Sequence, residues 1–95
     1  MKLKIICFDV DNVICKTNNT KDYSRSVPIK KNIKVINEAY NNGFKIILYT
    51  ARYMGRYNGN VSKVKKNIKP FTLKQLKKWG VKYHKIYFGK PSFDL

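Results

Sequence analysis

The chain has 95 residues and a formal net charge of +16, which comes from 21 basic and five acidic side chains. A chain of this length suits one domain with a small core, so we expect a single domain over residues 1–95. No run of about 18 apolar residues is present, which excludes a membrane-spanning helix, and the two cysteines match neither a zinc site nor a disulfide framework, which favours a reducing cytoplasm.

The first predicted element is a buried strand in the apolar run Leu3–Phe8, which ends in the sequence DVDNV over residues 9–13. Alternate side chains of a strand share a face, so the carboxylates of Asp9 and Asp11 can point toward one cleft. Oxygen ligands of this kind suit Mg²⁺. The alternative is an acidic turn after a strand, because Asp and Asn favour turns. Cys7, within the strand, is expected to be a small buried apolar residue.

A loop, a helix and a second strand follow. The polar segment 16–26 has no periodicity and predicts a loop. Pro28 suits the first turn of a helix, and apolar side chains recur at i, i+4, i+7 and i+11 over residues 29–40. Asn41-Asn42-Gly43 then ends the helix. The apolar run Phe44–Thr50 predicts the second strand.

The last third of the chain repeats this alternation. Apolar positions over residues 61–68 predict a short helix that Pro70 interrupts, and Thr72 is suited to cap another helix that ends at Gly80. The run Tyr83–Phe88 predicts a third strand. A βαβαβ order indicates an α/β fold with a Rossmann-like, mainly parallel, three-stranded sheet.

Each predicted strand ends in a different polar group. Two carboxylates follow the first strand, the Thr50 hydroxyl ends the second, and the Lys90 ammonium follows the third. Ligands of open α/β sheets bind outside the carboxyl ends of the strands, so we expect these groups to converge. The loop over residues 52–60 is expected to overhang the same cleft, where Arg52 and Arg56 can grip a phosphate or carboxylate bidentately. An ordinary basic surface loop is the alternative.

The order DVDNV, ILYT and GKP resembles the haloacid dehalogenase (HAD) superfamily of aspartate-nucleophile phosphatases. The stretches YTAR, YMGRYNGN and LKKWGVKYHKIYFGKP are similar to those of small capless members that serve capsule or lipopolysaccharide biosynthesis. The resemblance covers essentially the whole chain. Asn12-Val13 stands where the family more often has Gly-Thr, a change that a turn tolerates because Asn adopts left-handed backbone more readily than most residues.

The resemblance implies a HAD-like fold and assigns roles to four residues. Asp9 would be the nucleophile that forms an aspartyl-phosphate, and Asp11 the acid and base that protonates the leaving oxygen and activates water. Mg²⁺ would bind the Asp9 carboxylate and the Asp11 backbone carbonyl. Thr50 would donate a hydrogen bond to the phosphoryl group, and Lys90 would neutralise charge. The implied enzyme is a Mg²⁺-dependent phosphomonoester hydrolase or phosphotransferase acting on a small phosphorylated metabolite, with a sugar phosphate as the suggested class.

The end of the sequence departs from that pattern. Family members continue after GKP into another strand with an acidic pair, one member of which completes the metal site. Here the sequence stops at Leu95, and Asp94 matches the position before that strand. We therefore expect a truncated form or a partner that supplies the missing strand, slow turnover, and association of copies through the exposed edge of the first strand.

Two other functions stay open. An incomplete metal site fits a noncatalytic binding or assembly module with the same fold. The positive charge attracts polyanions in general, but the lysines are scattered along predicted helix faces without interleaved aromatic residues, and no nucleic-acid-binding motif is present. Nucleic-acid binding is therefore the lesser alternative, and a biased use of Lys, Asn and Ile would leave the same solvated lysines on the surface.

Overall fold

The computed structural model describes residues 4–17, 23–52 and 61–88 of the chain. Five strands and two α-helices lie in these ranges. In chain order they are β1 (Ile5–Asp9), β2 (Cys15–Lys16), β3 (Val27–Pro28), α1 (Lys30–Asn41), β4 (Lys45–Thr50), α2 (Val61–Lys78) and β5 (Lys85–Phe88), with a 3₁₀ turn at Tyr23–Arg25.

The main sheet is parallel and has the strand order β1-β4-β5. Ile5 pairs with Lys45 and Asp9 with Tyr49, so β1 and β4 end side by side at the carboxyl edge of the sheet. On the other side of β4, Thr50 pairs with Phe88 at the end of β5. The prediction of an α/β fold with a three-stranded parallel βαβαβ unit is confirmed.

Both helices cover the same face of this sheet. The crossovers from β1 to β4 and from β4 to β5 step in the same direction, and right-handed crossovers then place their helices on one side. Ile46 and Leu48 of β4 are fully buried on that side, in one cluster with Ile33 and Ile36 of α1. Leu76 of α2 belongs to the same cluster, so the core is a single layer between sheet and helices.

The opposite face of the sheet, which we call the open sheet face, carries Ile5, Cys7, Asp9, Tyr49 and Tyr87. Ile5 is 54% exposed and Tyr87 41% exposed, and the rings of Tyr49 and Tyr87 stack with their centroids 5.5 Å apart. The expectation that Cys7 is buried is wrong, because its side chain is exposed on this face. The sequence pattern located the strand correctly but did not show that only one of its faces is covered.

The segment before α1 is more structured than expected. At the two ends of the predicted loop, β2 pairs antiparallel with β3, and the 3₁₀ turn lies between them. Pro28 belongs to β3, where Cys15 is its partner, so the prediction that it opens the helix is wrong. The helix begins at Lys30 after Ile29, whose N–H donates to the carbonyl of Ile14 over 2.8 Å. The predicted stop at Gly43 is confirmed, since this residue has a φ of +90°.

α2 is one helix, so the predicted interruption at Pro70 is wrong. A proline inside a helix costs about 3 kcal/mol because it removes a hydrogen bond and crowds the preceding turn. Around Pro70, three side chains recur at i, i+4 and i+8 along the helix and are each at most 1% exposed: Ile68, Thr72 and Leu76. Burial of each large aliphatic side chain contributes about 1.5–3 kcal/mol, so this continuous buried stripe offsets the cost of the proline.

His84 extends the ladder between β4 and β5. Its backbone N–H donates to the carbonyl of Ile46 over 2.9 Å, and its ring Nδ1 accepts the N–H of Ile46 over 3.0 Å. The ring therefore occupies the position of a backbone carbonyl, and it stacks on Tyr40 of α1 at 4.5 Å. Neither of the described helices is long and apolar enough to cross a membrane.

Candidate functional site

The chain turns sharply after β1, and this turn determines where the two acidic side chains lie. The N–H of Ile14 donates to the carbonyl of Val10 over 2.9 Å, and the N–H of Asn12 donates to the carbonyl of Cys15 over 2.6 Å. Asn12 has a φ of +70°, in the left-handed region. Asn is among the few residues that enter this region readily, so glycine is not required here.

Asp9 and Asp11 lie in different environments. Asp9 is the last residue of β1 and is exposed on the open sheet face. Asp11 lies in the turn, beyond the strand, and its side chain is 22% exposed. Strand alternation therefore does not extend to Asp11, and the two carboxylates are not equivalent members of one cleft wall.

Arg52 binds the Asp11 carboxylate. Nη2 of Arg52 lies 2.9 Å from Oδ1 of Asp11, and Nε lies 3.1 Å from Oδ2. Arg52 is the second residue after β4, and its side chain is fully buried. A two-point contact of this kind fixes the orientation of the carboxylate as well as its position.

The remaining N–H groups of Arg52 also have partners. Nη1 donates to Oγ1 of Thr72 over 3.2 Å and to Oε1 of Gln75 over 2.6 Å, and Nη2 donates to Sγ of Cys15 over 3.6 Å. The guanidinium lies 4.6 Å from the ring centre of Tyr23. All five N–H donors are thus engaged by the protein.

These contacts correct the predicted position of Arg52. We expected it in a loop that overhangs the cleft, free to grip a substrate, whereas the structure buries it between the β1 turn and α2. The neighbouring Asp11, Thr72 and Gln75 attract the guanidinium inward and satisfy it there. Arg56 lies outside the described residues, and so does Lys90.

A second set of contacts supports Asp11 from the side of β2. The Thr17 hydroxyl donates to Oδ1 of Asp11 over 2.7 Å and lies 2.9 Å from the hydroxyl of Ser26. Cys15 is buried beside them, with Sγ 3.6 Å from Oδ1. Burial, reinforced by the Asp11 charge and opposed by Arg52, raises the pKa of the Cys15 thiol. The thiol therefore stays protonated at neutral pH and acts as a weak hydrogen-bonding group.

Thr50 ends β4 and is 3% exposed. Its hydroxyl accepts the backbone N–H of Arg52 over 3.2 Å, which shapes the turn that carries Arg52 inward. Thr50 and Asp9 lie at the same carboxyl edge on adjacent parallel strands, as predicted, but their side chains lie on opposite faces of the sheet, since Asp9 shares the open sheet face with its partner Tyr49 and Thr50 is buried one residue further on. The sequence did not point to Thr17, Tyr23 or Gln75, although one signal was present: Thr72 interrupts an apolar stripe of α2, and a buried hydroxyl needs a polar partner.

The oxygen atoms at this edge fit Mg²⁺ only in part. Over residues 4–17, 23–52 and 61–88 there is no cluster of three or more His, Cys, Asp or Glu side chains suited to a metal. Mg²⁺ keeps several waters and often uses one or two carboxylates together with a substrate phosphate. The exposed carboxylate of Asp9 fits such a sparse site, whereas the side chain of Asp11 is already committed to Arg52.

The parallel βαβαβ sheet, with polar residues at its carboxyl edge, defines a small α/β protein of Rossmann-like class. No family model matches the chain, and no curated protein matches it. A crystal structure of an MCSG target from Vibrio cholerae is similar, with 34% sequence identity, a TM-score of 0.86, and coverage of 95% of this chain and 72% of that chain. The chain belongs to the same family as this Vibrio cholerae protein, whose name states no activity.

Proposed function

We propose that the protein is a HAD-like, Mg²⁺-dependent phosphatase or phosphotransferase that acts through an aspartyl-phosphate. The observation that carries this proposal is the exposed carboxylate of Asp9 at the carboxyl end of β1, with Asp11 two residues later held in a fixed orientation by Arg52. An accessible nucleophile followed by an oriented acid is the pair that such a reaction needs. The sequence resemblance to the small capless members of the HAD superfamily supports the same assignment.

In the first step, a carboxylate oxygen of Asp9 attacks phosphorus while the bond from phosphorus to the leaving oxygen breaks, and Asp11 gives its proton to that oxygen. In the second step, Asp11 takes a proton from water, and the resulting hydroxide attacks phosphorus and releases phosphate and Asp9. When bound, Mg²⁺ supplies positive charge that lets an anionic nucleophile approach an anionic phosphate. The Asp9 carboxylate and the Asp11 carbonyl would hold it.

The contacts of Asp11 indicate which of its oxygens exchanges the proton. Oδ1 accepts from Nη2 of Arg52 and from the Thr17 hydroxyl, and the Cys15 thiol lies near it. Oδ2 accepts only from Nε of Arg52 among the described residues, over 3.1 Å. Oδ2 is therefore the oxygen with capacity to carry a proton, and Arg52 and Thr17 act as positioning residues.

The substrate class that we propose is a small phosphorylated metabolite such as a sugar phosphate, on the strength of the resemblance. The cytoplasm suits the two free thiols. Lys90 and Arg56 keep their predicted roles, as counter-charge to Asp9 and as a substrate contact, although both lie outside the described residues. β1 is an edge strand among the described strands, which supports the proposed association of copies through this edge.

The test is turnover of p-nitrophenyl phosphate with Mg²⁺, with EDTA as the metal-free control. Asp9→Asn should abolish turnover, because the nearly isosteric amide cannot form the phosphoenzyme. Asp11→Asn should lower it by about a hundredfold to ten-thousandfold through lost proton transfer. Glu38→Gln is the matched control, since it removes one exposed acidic charge on α1, away from the site. Unchanged activity in Asp9→Asn, with circular dichroism showing an intact fold, contradicts the assignment.

A noncatalytic binding module is the second candidate, and the contacts of Asp11 favour it. Its carboxylate is tied to an arginine whose donors are all engaged, an arrangement that serves stability equally well. In that case the protein binds phosphate at the strand ends without turnover, and isothermal titration with inorganic phosphate beside the turnover assay separates the two candidates.

A further inference from the structure

An open groove of about 630 Å³ lies between α1 and the residues at the end of α2. We call it the α1–α2 groove. Its volume lies in the range of small-ligand sites, about 300–1,000 Å³. The charged and aromatic residues of its lining are Lys30, Lys34, Glu38, Lys78, Trp79 and Lys82.

Hydrogen bonds between its two walls hold the groove in shape. Asn37 of α1 donates from Nδ2 to the carbonyl of Gly80 over 2.8 Å and accepts the backbone N–H of Lys82 at Oδ1 over 2.8 Å. The ammonium of Lys82 donates to Oδ1 of Asn41 over 3.0 Å. This last contact bridges the two walls at the final turn of α1.

The groove is strongly cationic. Four lysines and one glutamate line it, which leaves a local charge of +3. Lys30 and Lys34 are separated by one helical turn, where like charges repel. In the part of the chain that the structure describes, Lys30, Lys34 and Lys78 form no ion pair with an acidic residue. An anion with several charges would relieve this repulsion.

Trp79 supplies an aromatic wall. It is the only tryptophan of the chain, it packs on one side against the core cluster, and it lines the groove on the other. An indole held in this way offers a flat surface on which another ring can stack. The groove therefore combines an aromatic side chain with several ammonium groups.

We propose that the α1–α2 groove binds a nucleoside polyphosphate, with the base stacked on Trp79 and the phosphates held by Lys30, Lys34 and Lys78. This site lies on the helix layer and shares no lining residue with the carboxyl-edge site. It does not depend on the proposed phosphatase activity.

Fluorescence of Trp79 during titration with ATP tests the proposal, because no other tryptophan contributes to the signal. We expect a saturable change, with tripolyphosphate and adenosine each binding more weakly than ATP. The triple variant Lys30→Gln/Lys34→Gln/Lys78→Gln should bind ATP at least about tenfold more weakly, which corresponds to about 1.4 kcal/mol.

The matched control is Lys66→Gln/Lys69→Gln/Lys85→Gln, which removes the same charge from exposed positions of α2 and β5 outside the groove. It should stay within about twofold of the wild type, because it leaves every lysine of the groove in place. Asp9→Asn should bind as the wild type does, so a failure of the phosphatase proposal leaves this result unaffected.

Three results would overturn the proposal. Equal losses in both triple variants would show attraction by the general positive field. Equal binding of tripolyphosphate and ATP would remove the stacking role of Trp79. Displacement of ATP by oligo(dT), with affinity that rises with strand length, would show that the groove belongs to a track for single-stranded nucleic acid.

Discussion

Replacement of Arg52 by alanine is the strongest test of the network that holds Asp11. The substitution leaves the Asp11 carboxylate, 22% exposed, without its cationic partner, and it removes the donors that satisfy Thr72 and Gln75. Removing one partner of a buried pair costs about 3–5 kcal/mol. Because water can reach part of the Asp11 carboxylate, we expect the lower end of that range, about 3 kcal/mol.

The assay is urea unfolding followed by circular dichroism, with Trp79 fluorescence as a second probe. Arg52→Lys keeps the charge but cannot reproduce five N–H contacts, so it should lose about half as much stability. The double variant Arg52→Ala/Asp11→Asn should be more stable than Arg52→Ala alone, because it no longer leaves a charge unpaired. Lys31→Ala, an exposed cation of α1, is the control. A loss from Arg52→Ala below about 1 kcal/mol, the usual effect of a surface ion pair, would refute the reasoning.

Three further predictions concern other positions. Asn12→Ala should destabilise the protein by about 1–2 kcal/mol, because Ala keeps a Cβ at positive φ but lacks the side-chain hydrogen bonding by which Asn offsets that cost. Asn12→Gly should not destabilise it, because Gly has no Cβ, and thermal unfolding of both variants compares them. The pKa of Cys15 is raised above its ordinary 9.0 in the folded state. The contribution of the Cys15 thiol to the free energy of unfolding is therefore intact below about pH 9 and declines as pH rises through the raised pKa. The free energy of unfolding should therefore decline more steeply at alkaline pH in the wild type than in Cys15→Ser, and parallel curves would contradict this. Iodoacetamide should label the exposed Cys7 before the buried Cys15. His84→Ala should cost about 1–3 kcal/mol, because the Ile46 N–H loses its acceptor, and His84→Asn should recover part of this loss, since its Oδ1 can take the place of Nδ1.

The sequence predicted the order and type of the main elements because local periodicity determines them. Which side chains face the core determines the apolar runs of β1, β4 and β5 and the helical spacing of Ile33 and Ile36. That pattern is visible along the chain. The error at Pro70 came from a local rule. The free energy gained by burying Ile68 and Leu76, which the rule does not consider, outweighs the cost of a proline inside the helix.

The candidate site was predicted only in part. Asp9 and Thr50 lie at adjacent strand ends as expected, because parallel topology alone places them there. The burial of Arg52 could not be predicted from local pattern, since its partners lie 41 residues earlier and 23 residues later. The exposure of Cys7 depends likewise on a global property, namely that both crossovers step in the same direction.

The sequence separations around Arg52 also have a kinetic consequence. Its contact with Asp11 closes the crossover through α1, and its contact with Gln75 joins the end of β4 to the last turns of α2. We therefore expect the complete network to assemble only after both long-range closures. Interactions that form after the transition state slow unfolding and leave the rate of folding almost unchanged. On this basis we expect Arg52→Ala to accelerate unfolding and to leave the rate of folding almost unchanged, which folding and unfolding kinetics in urea would measure.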